Sequence, residues 1–317
     1  MADIAIKVLS IFLIMAVGFV ANRMGILPKE ANKYMTNLLI LILSPCLIVS
    51  SITTKELTDD TLANTLMVIG GGMCFFILVV PLSALLCKLV LRGEEKKDLS
   101  TYVYAFGSVN SGFMGFPLSL SLFGKDIFYL MVMHNVTLML YIYSIGPMVL
   151  GMGSSEKGKV SIKALLKSLN NPNTLAAAVS FVMLFLGLRL PDFLESSVTT
   201  IGNATIPLSM ILVGMQLGES NIFRIVKNKS LVIISFMKLL ALPFITFLAV
   251  NWLPIPVEVK LCLIFVSVFP AAVAIVPVAA IENKNALLSA EFIAFTTFVS
   301  IFSIPIFSTL LTWYYRL

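Results

Sequence analysis

The residues best able to hold a ligand lie in one run, Asn110-Ser111-Gly112-Phe113-Met114-Gly115-Phe116-Pro117, inside an otherwise apolar stretch. Two glycines favour helix poorly, and proline removes a backbone donor while clashing with the turn before it, so a continuous helix is disfavoured here. A second run, Pro270-Ala271-Ala272-Val273-Ala274-Ile275-Val276-Pro277, also ends on proline. Helices interrupted inside a membrane leave backbone N–H and C=O groups that only protein or a hydrated cavity can satisfy. The amino-terminal ends of such half-helices carry partial positive charge and favour an anion, a carboxylate for example. The expected binding set is Asn110, Ser111, Gly112, Gly115 and Pro117, with Pro270, Ala271, Ala272, Ile275 and Pro277. The competing reading is that Gly and Pro are simply common in membrane helices, where they permit kinks and close packing. The matched pairing favours interruption.

Other polar residues stand inside apolar stretches. Lys238 lies too deep to be a loop charge. It could neutralise a substrate carboxylate, occupy the place of a coupling cation, or tie the carbonyls of a broken helix together; snorkelling to the inner surface is the alternative. His134, the only histidine, sits beside Asn135 and is either a proton-coupling group or one half of an interhelical hydrogen bond. Glu291 could snorkel, take up a proton or pair with Lys238. Asn37 before Pro45, and Asn203 with Thr205 before Pro207, could line the same cavity, with Gln216 farther along; polar contacts between helices explain them equally well. No metal-ligand spacing, phosphate-cradling loop or nucleophile elbow is present, so neither an enzyme, a metal site nor a cofactor is expected.

The elements that must position these residues are membrane helices. With 317 residues, 59% hydrophobic and 12% charged, and a mean hydropathy of +1.00, the chain has too little polar surface for a soluble globule. Ten apolar stretches approach the roughly 20 residues a span requires. They are Ile4–Ala21, Tyr34–Ile52, Thr61–Val90, Leu99–Phe123, Ile127–Leu150, Thr174–Leu188, Val198–Leu217, Leu231–Val250, Val257–Ile281 and Leu287–Tyr314. Cys46, Cys74, Cys87 and Cys262 all fall in apolar runs and read as packing residues.

Ten of the 14 prolines form one register. Pro28, Pro45, Pro81, Pro117 and Pro147 answer in order to Pro191, Pro207, Pro243, Pro277 and Pro305, at offsets of 158 to 163 residues. This predicts a duplication: residues 1–150 as a first five-helix repeat, 151–173 as a cytoplasmic linker, and 174–317 as a second repeat. An odd helix number per repeat makes the second copy inverted. An outside amino terminus puts fifteen of the 22 Lys and Arg residues in cytoplasmic loops and six outside, with Lys238 in a span. The positive-inside rule therefore places both termini outside. The basic residues are spread over short loops, which argues against nucleic acid as a partner and leaves membrane lipid and a small solute.

These features, with Asn110-x4-Gly115-x-Pro117, Pro270-x6-Pro277 and Asn171-Pro172 before the sixth stretch, resemble the auxin efflux carrier family, as a prokaryotic-type member related to the plant PIN-type exporters. The resemblance covers nearly the whole chain. It implies a scaffold of helices 1, 2, 6 and 7 that dimerises, and a moving domain of helices 3–5 and 8–10 in which helices 4 and 9 cross beside the substrate. Within it, the family asparagine maps to Asn110 and the crossover prolines to Pro117 and Pro277. Bacterial relatives are associated with small carboxylates such as malate or malonate. The linker is short where plant carriers often have a long regulatory loop, and Lys238 lies outside the motif. The expectation is an elevator-type secondary carrier of a small organic anion in the cell membrane. The rivals are a sodium- or proton-coupled importer of the bile-acid-symporter type and a membrane sensor that binds without transporting.

Overall fold

The computed structural model describes residues 2–55, 58–152 and 171–316; most of the predicted linker, with Lys157, Lys159, Lys163 and Lys167, lies outside the described residues. Among the described residues the chain is all helix, without a strand. Seven stretches are long and apolar enough to cross a membrane: Ile6–Arg23, Glu30–Thr53, Asp59–Val90, Gly93–Leu150, Asp192–Glu219, Lys229–Asn251 and Ala286–Tyr315.

The difference from ten expected stretches has local causes. The predicted fourth and fifth stretches fall in the single segment Gly93–Leu150, 58 residues long. That segment is not one rod: helix is lost at 108–110, and Gly124 bends it with φ 80° and ψ −171°. A left-handed φ at this bend is a conformation glycine adopts without a Cβ penalty. The predicted sixth stretch is the 14-residue helix Pro172–Phe185. The predicted ninth is two pieces, Val257–Ser267 and Ile275–Ile281, each well short of the roughly 20 residues of a continuous span.

The prolines explain where helices deform. π-helical turns occupy Leu39–Leu43, Ser111–Gly115, Tyr141–Ile145 and Met237–Ala241. Each begins six residues before a proline, namely Pro45, Pro117, Pro147 and Pro243. Proline cannot donate to the carbonyl four residues back and its ring crowds that carbonyl, so the preceding turn widens. Pro28 and Pro191 both stand in extended backbone as the residue before a helix, Lys29–Leu38 and Asp192–Asn203. Pro81 and Pro305 are carried inside uninterrupted helices.

One helix pair packs backbone to backbone. A Cβ at Gly18 would overlap the main chain of Ile211, and a Cβ at Gly214 would overlap the carbonyl of Met15. Gly214 and Gly218 therefore give Thr205–Glu219 a small-residue face that lets Ala2–Arg23 approach closely. Against this pair the Glu30–Thr53 stretch contributes Leu39 and Leu43, which meet Leu212 in a small cluster of their own. Phe113, from the interrupted segment, packs on both this cluster and the main core.

Candidate functional site

Both runs singled out in the sequence are interrupted, and they are bonded to each other. Leu99–Gly107 ends at Ser108, which is extended with φ −72° and ψ 147°. The chain resumes helix at Ser111 with Asn110 as its cap: the Phe113 N–H donates to Asn110 Oδ1 at 3.3 Å. Asn228 and Asn285 cap helices in the same way, so Asn110 is a helix start placed within an apolar segment. On the other run, helix is lost between Ser267 and Ile275. The Asn110 N–H donates to the Pro270 carbonyl at 2.8 Å, and the Ala272 N–H donates to Ser108 Oγ at 3.2 Å.

Several of the freed backbone groups are met by protein. At the end of Leu99–Gly107, the Tyr104 carbonyl accepts from the Ser108 N–H at 3.2 Å and from the Tyr141 hydroxyl at 3.0 Å. The Ala105 carbonyl accepts from Ser108 Oγ at 2.9 Å. The carbonyls of Phe106 and Ser108 accept from Lys238 Nζ at 2.7 Å and 2.6 Å. Tyr104 returns a bond to the Ile142 carbonyl at 3.0 Å, so two tyrosines clasp the half-helix to the Tyr141–Ile145 turn. On the second run, the Ala271 N–H donates to Thr296 Oγ1 at 3.2 Å. This satisfaction is what a buried helix end demands.

A side-chain donor at the crossing has no partner among the described residues. Asn110 is 4% exposed, and its Nδ2 lacks a hydrogen-bond partner among the described residues. Beside it, Ser111 Oγ donates to Asn135 Oδ1 at 2.8 Å. At Gly112 a Cβ would meet nothing within 4 Å, whereas at Gly115 it would lie 3.2 Å from the Phe269 ring. Gly115 thus serves the close crossing of the two runs, and Gly112 borders open space.

A cavity of about 940 Å³ reaches the second interruption, where Val273, Val276 and Pro277 line it. Its remaining wall includes Asn32, Lys33, Gln216, Glu219, Arg224 and Glu291. Gln216 Nε2 donates to Asn32 Oδ1 at 3.3 Å, and Asn32 Nδ2 to Glu219 Oε2 at 3.4 Å. Asn110 and Ser111 do not line this cavity. A second cavity of about 410 Å³ is lined by Asp60, Asp126, Glu258 and Lys55, and Lys55 pairs with Asp126.

The structure gathers Asn110, Ser111, Pro270, Ala271 and Ala272 at one crossing, with Gly115 and Pro117 opening the helix that leaves it and Ile275 and Pro277 in the helix after the second interruption. Lys238 is there too, as a cap on broken-helix carbonyls and wholly buried, which removes the snorkelling alternative. The pairing of Lys238 with Glu291 does not form: Glu291 lies on the cavity wall instead. His134 makes no interhelical hydrogen bond among the described residues. Its ring is 1% exposed, unpartnered, and packed against Phe75 and Phe76. Asn37, Asn203 and Pro207 are exposed and Pro45 is half-buried; none of the four is on the cavity wall. Sequence reasoning missed Ser108 and Thr296, which bond the second interruption. Ser108 had a signal, a hydroxyl two residues from Asn110 beside Gly107; Thr296, mid-helix in an apolar stretch, had none.

An all-helical multi-pass membrane protein with two interrupted, mutually bonded segments and a large cavity beside them has the build of a transporter. Residues 3–308 match a family described as Membrane transport protein, and the chain belongs to this family, the auxin efflux carrier family. It is also similar to Uncharacterized transporter MJ1031 of Methanocaldococcus jannaschii, with 25% identity over 214 residues, covering 66% of this chain and 68% of that protein.

Proposed function

We propose that the protein is a secondary carrier of a small organic anion, a carboxylate, across the cell membrane. The observation that carries this reading is the unpartnered Asn110 Nδ2 at the crossing. A buried donor left unmade costs about 1–3 kcal/mol, and a carboxylate oxygen is the acceptor that would recover it. The amino-terminal end of the helix that follows adds favourable partial charge.

In this reading the ten stretches of the sequence are ten spans in two inverted repeats, the broken elements counting as spans because they cross as pairs. Both termini lie outside, helices 1, 2, 6 and 7 form a scaffold that dimerises, and the rest moves as an elevator. The two cavities support the cycle: the larger meets Lys33 and Arg224, at predicted cytoplasmic ends. The smaller meets Lys55, in a predicted outer loop. The molecule then faces inward, with Lys55–Asp126 across the outer side. An inside-negative potential drives anion export by about 2.3 kcal/mol per charge per 100 mV.

Flux of labelled malonate and malate in proteoliposomes, under an imposed potassium-diffusion potential, tests the proposal. Potential-driven flux that persists when choline replaces sodium is expected. Flux that requires sodium would make it a coupled importer, and tight binding without flux would make it a sensor.

A further inference from the structure

Lys238 offers more than a structural contact. Its side chain is 0% exposed, and its ammonium group bonds the Phe106 and Ser108 carbonyls at 2.7 Å and 2.6 Å, 5.8 Å from the Phe106 ring centre. Among the described residues no carboxylate lies within 4.0 Å of it, the ion pairs there being Lys55–Asp126 and Lys97–Glu94. Among the described residues the charge is met by two carbonyls at the end of Leu99–Gly107, where a helix end carries about half an elementary negative charge, and by the Phe106 ring. Carbonyls from an unwound helix end are the ligands with which transporters hold exchangeable monovalent cations.

We propose that Lys238 is a tethered cation. It fills a carbonyl site permanently and fixes the peptide two residues ahead of Asn110. It also leaves positive charge at the crossing for the bound carboxylate to balance. Lys238 is therefore a positioning residue, not a substrate contact, and the idea rests on the carrier reading for the identity of the anion. The Met237–Ala241 π turn that carries it is set by Pro243, so the ammonium is placed by helix deformation rather than by a flexible loop.

The experiment compares purified wild type, Lys238→Met and Lys238→Ala, measuring malonate affinity and thermal stability with and without methylammonium. Lys238→Met should bind malonate about 100-fold more weakly, the scale of losing one charged partner from a buried network. In Lys238→Ala, methylammonium should raise both the melting temperature and malonate affinity, while tetramethylammonium, too large for two carbonyls, should do neither. Wild type should respond to neither ion. Malonate affinity in Lys238→Met within threefold of wild type, or a Lys238→Ala protein that no small cation stabilises, overturns the inference. If wild type itself binds no carboxylate, the carrier reading fails instead, and the methylammonium-dependent melting of Lys238→Ala still tests the site.

Discussion

Asn110 does two opposed things, and substitution separates them. Its Oδ1 caps the Phe113 N–H, a contact whose loss costs about 0.5–2 kcal/mol. Its Nδ2 is buried without a partner, so deleting it returns about 1–3 kcal/mol of unmade bonding. Asn110→Ala removes both, and the two terms nearly cancel: the ligand-free melting temperature should move little. With a carboxylate bound, the same deletion costs a hydrogen bond to a charged group, about 1.5–3 kcal/mol, or roughly 10- to 150-fold in affinity. Asn110→Asp keeps an acceptor for Phe113 but replaces the donor with a negative charge, so carboxylate binding should fall further than in the alanine variant. The assay is malonate affinity by titration calorimetry alongside unfolding of the same samples in detergent. Asn110→Asp binding a carboxylate as tightly as wild type would refute the reasoning, as would an alanine variant weakened less than threefold.

Gly112 and Gly115 should part company. Gly112→Leu fills open space, so it should abolish malonate flux in proteoliposomes while changing the melting temperature by only a few degrees. Gly115→Val, aimed at the Phe269 ring, should instead lower stability by about 1–3 kcal/mol, read in the same melting assay. Gly214→Val would drive a side chain into the Met15 carbonyl and should cost more than about 3 kcal/mol, seen as loss of the monodisperse peak in size exclusion, because neither backbone can retreat.

Much of this arrangement was legible in the chain because proline acts locally. Pro45, Pro117, Pro147 and Pro243 each follow a widened turn, whereas Pro81 and Pro305 ride in uninterrupted helices, so proline marks where a helix can deform and its surroundings decide whether it does. The two interruptions were legible for the same reason. Less legible is which side chains answer the freed backbone groups, since that depends on elements far apart in sequence: tying broken-helix carbonyls was one of three roles open to Lys238, which bonds Phe106, and no signal paired Ser108 with Ala272. Ten stretches and seven continuous spans differ at the breaks because a length criterion describes unbroken rods. Val257–Ser267 and Ile275–Ile281 are each too short to cross a membrane alone, although together they cover one predicted stretch. His134 and Glu291 show the limit for single polar residues, whose partners depend on rotation about a helix that periodicity in an all-apolar stretch does not define.

On the carrier reading, the five backbone groups at the crossing that are bonded within the protein change what a substrate has to do there. A broken helix with open ends would require the ligand to complete the fold, and an empty carrier would pay that cost on every return step. Here the Pro270 carbonyl is taken by Asn110, the Phe106 and Ser108 carbonyls by Lys238, and the Ala271 and Ala272 amides by Thr296 and Ser108. These bonds are all made within the protein, which on the carrier reading suits a molecule that must move both loaded and unloaded. On the proposed reading, affinity would rest on few groups, chiefly the Asn110 amide and the positive charge behind it. Few contacts give modest binding, and modest binding permits release on the far side.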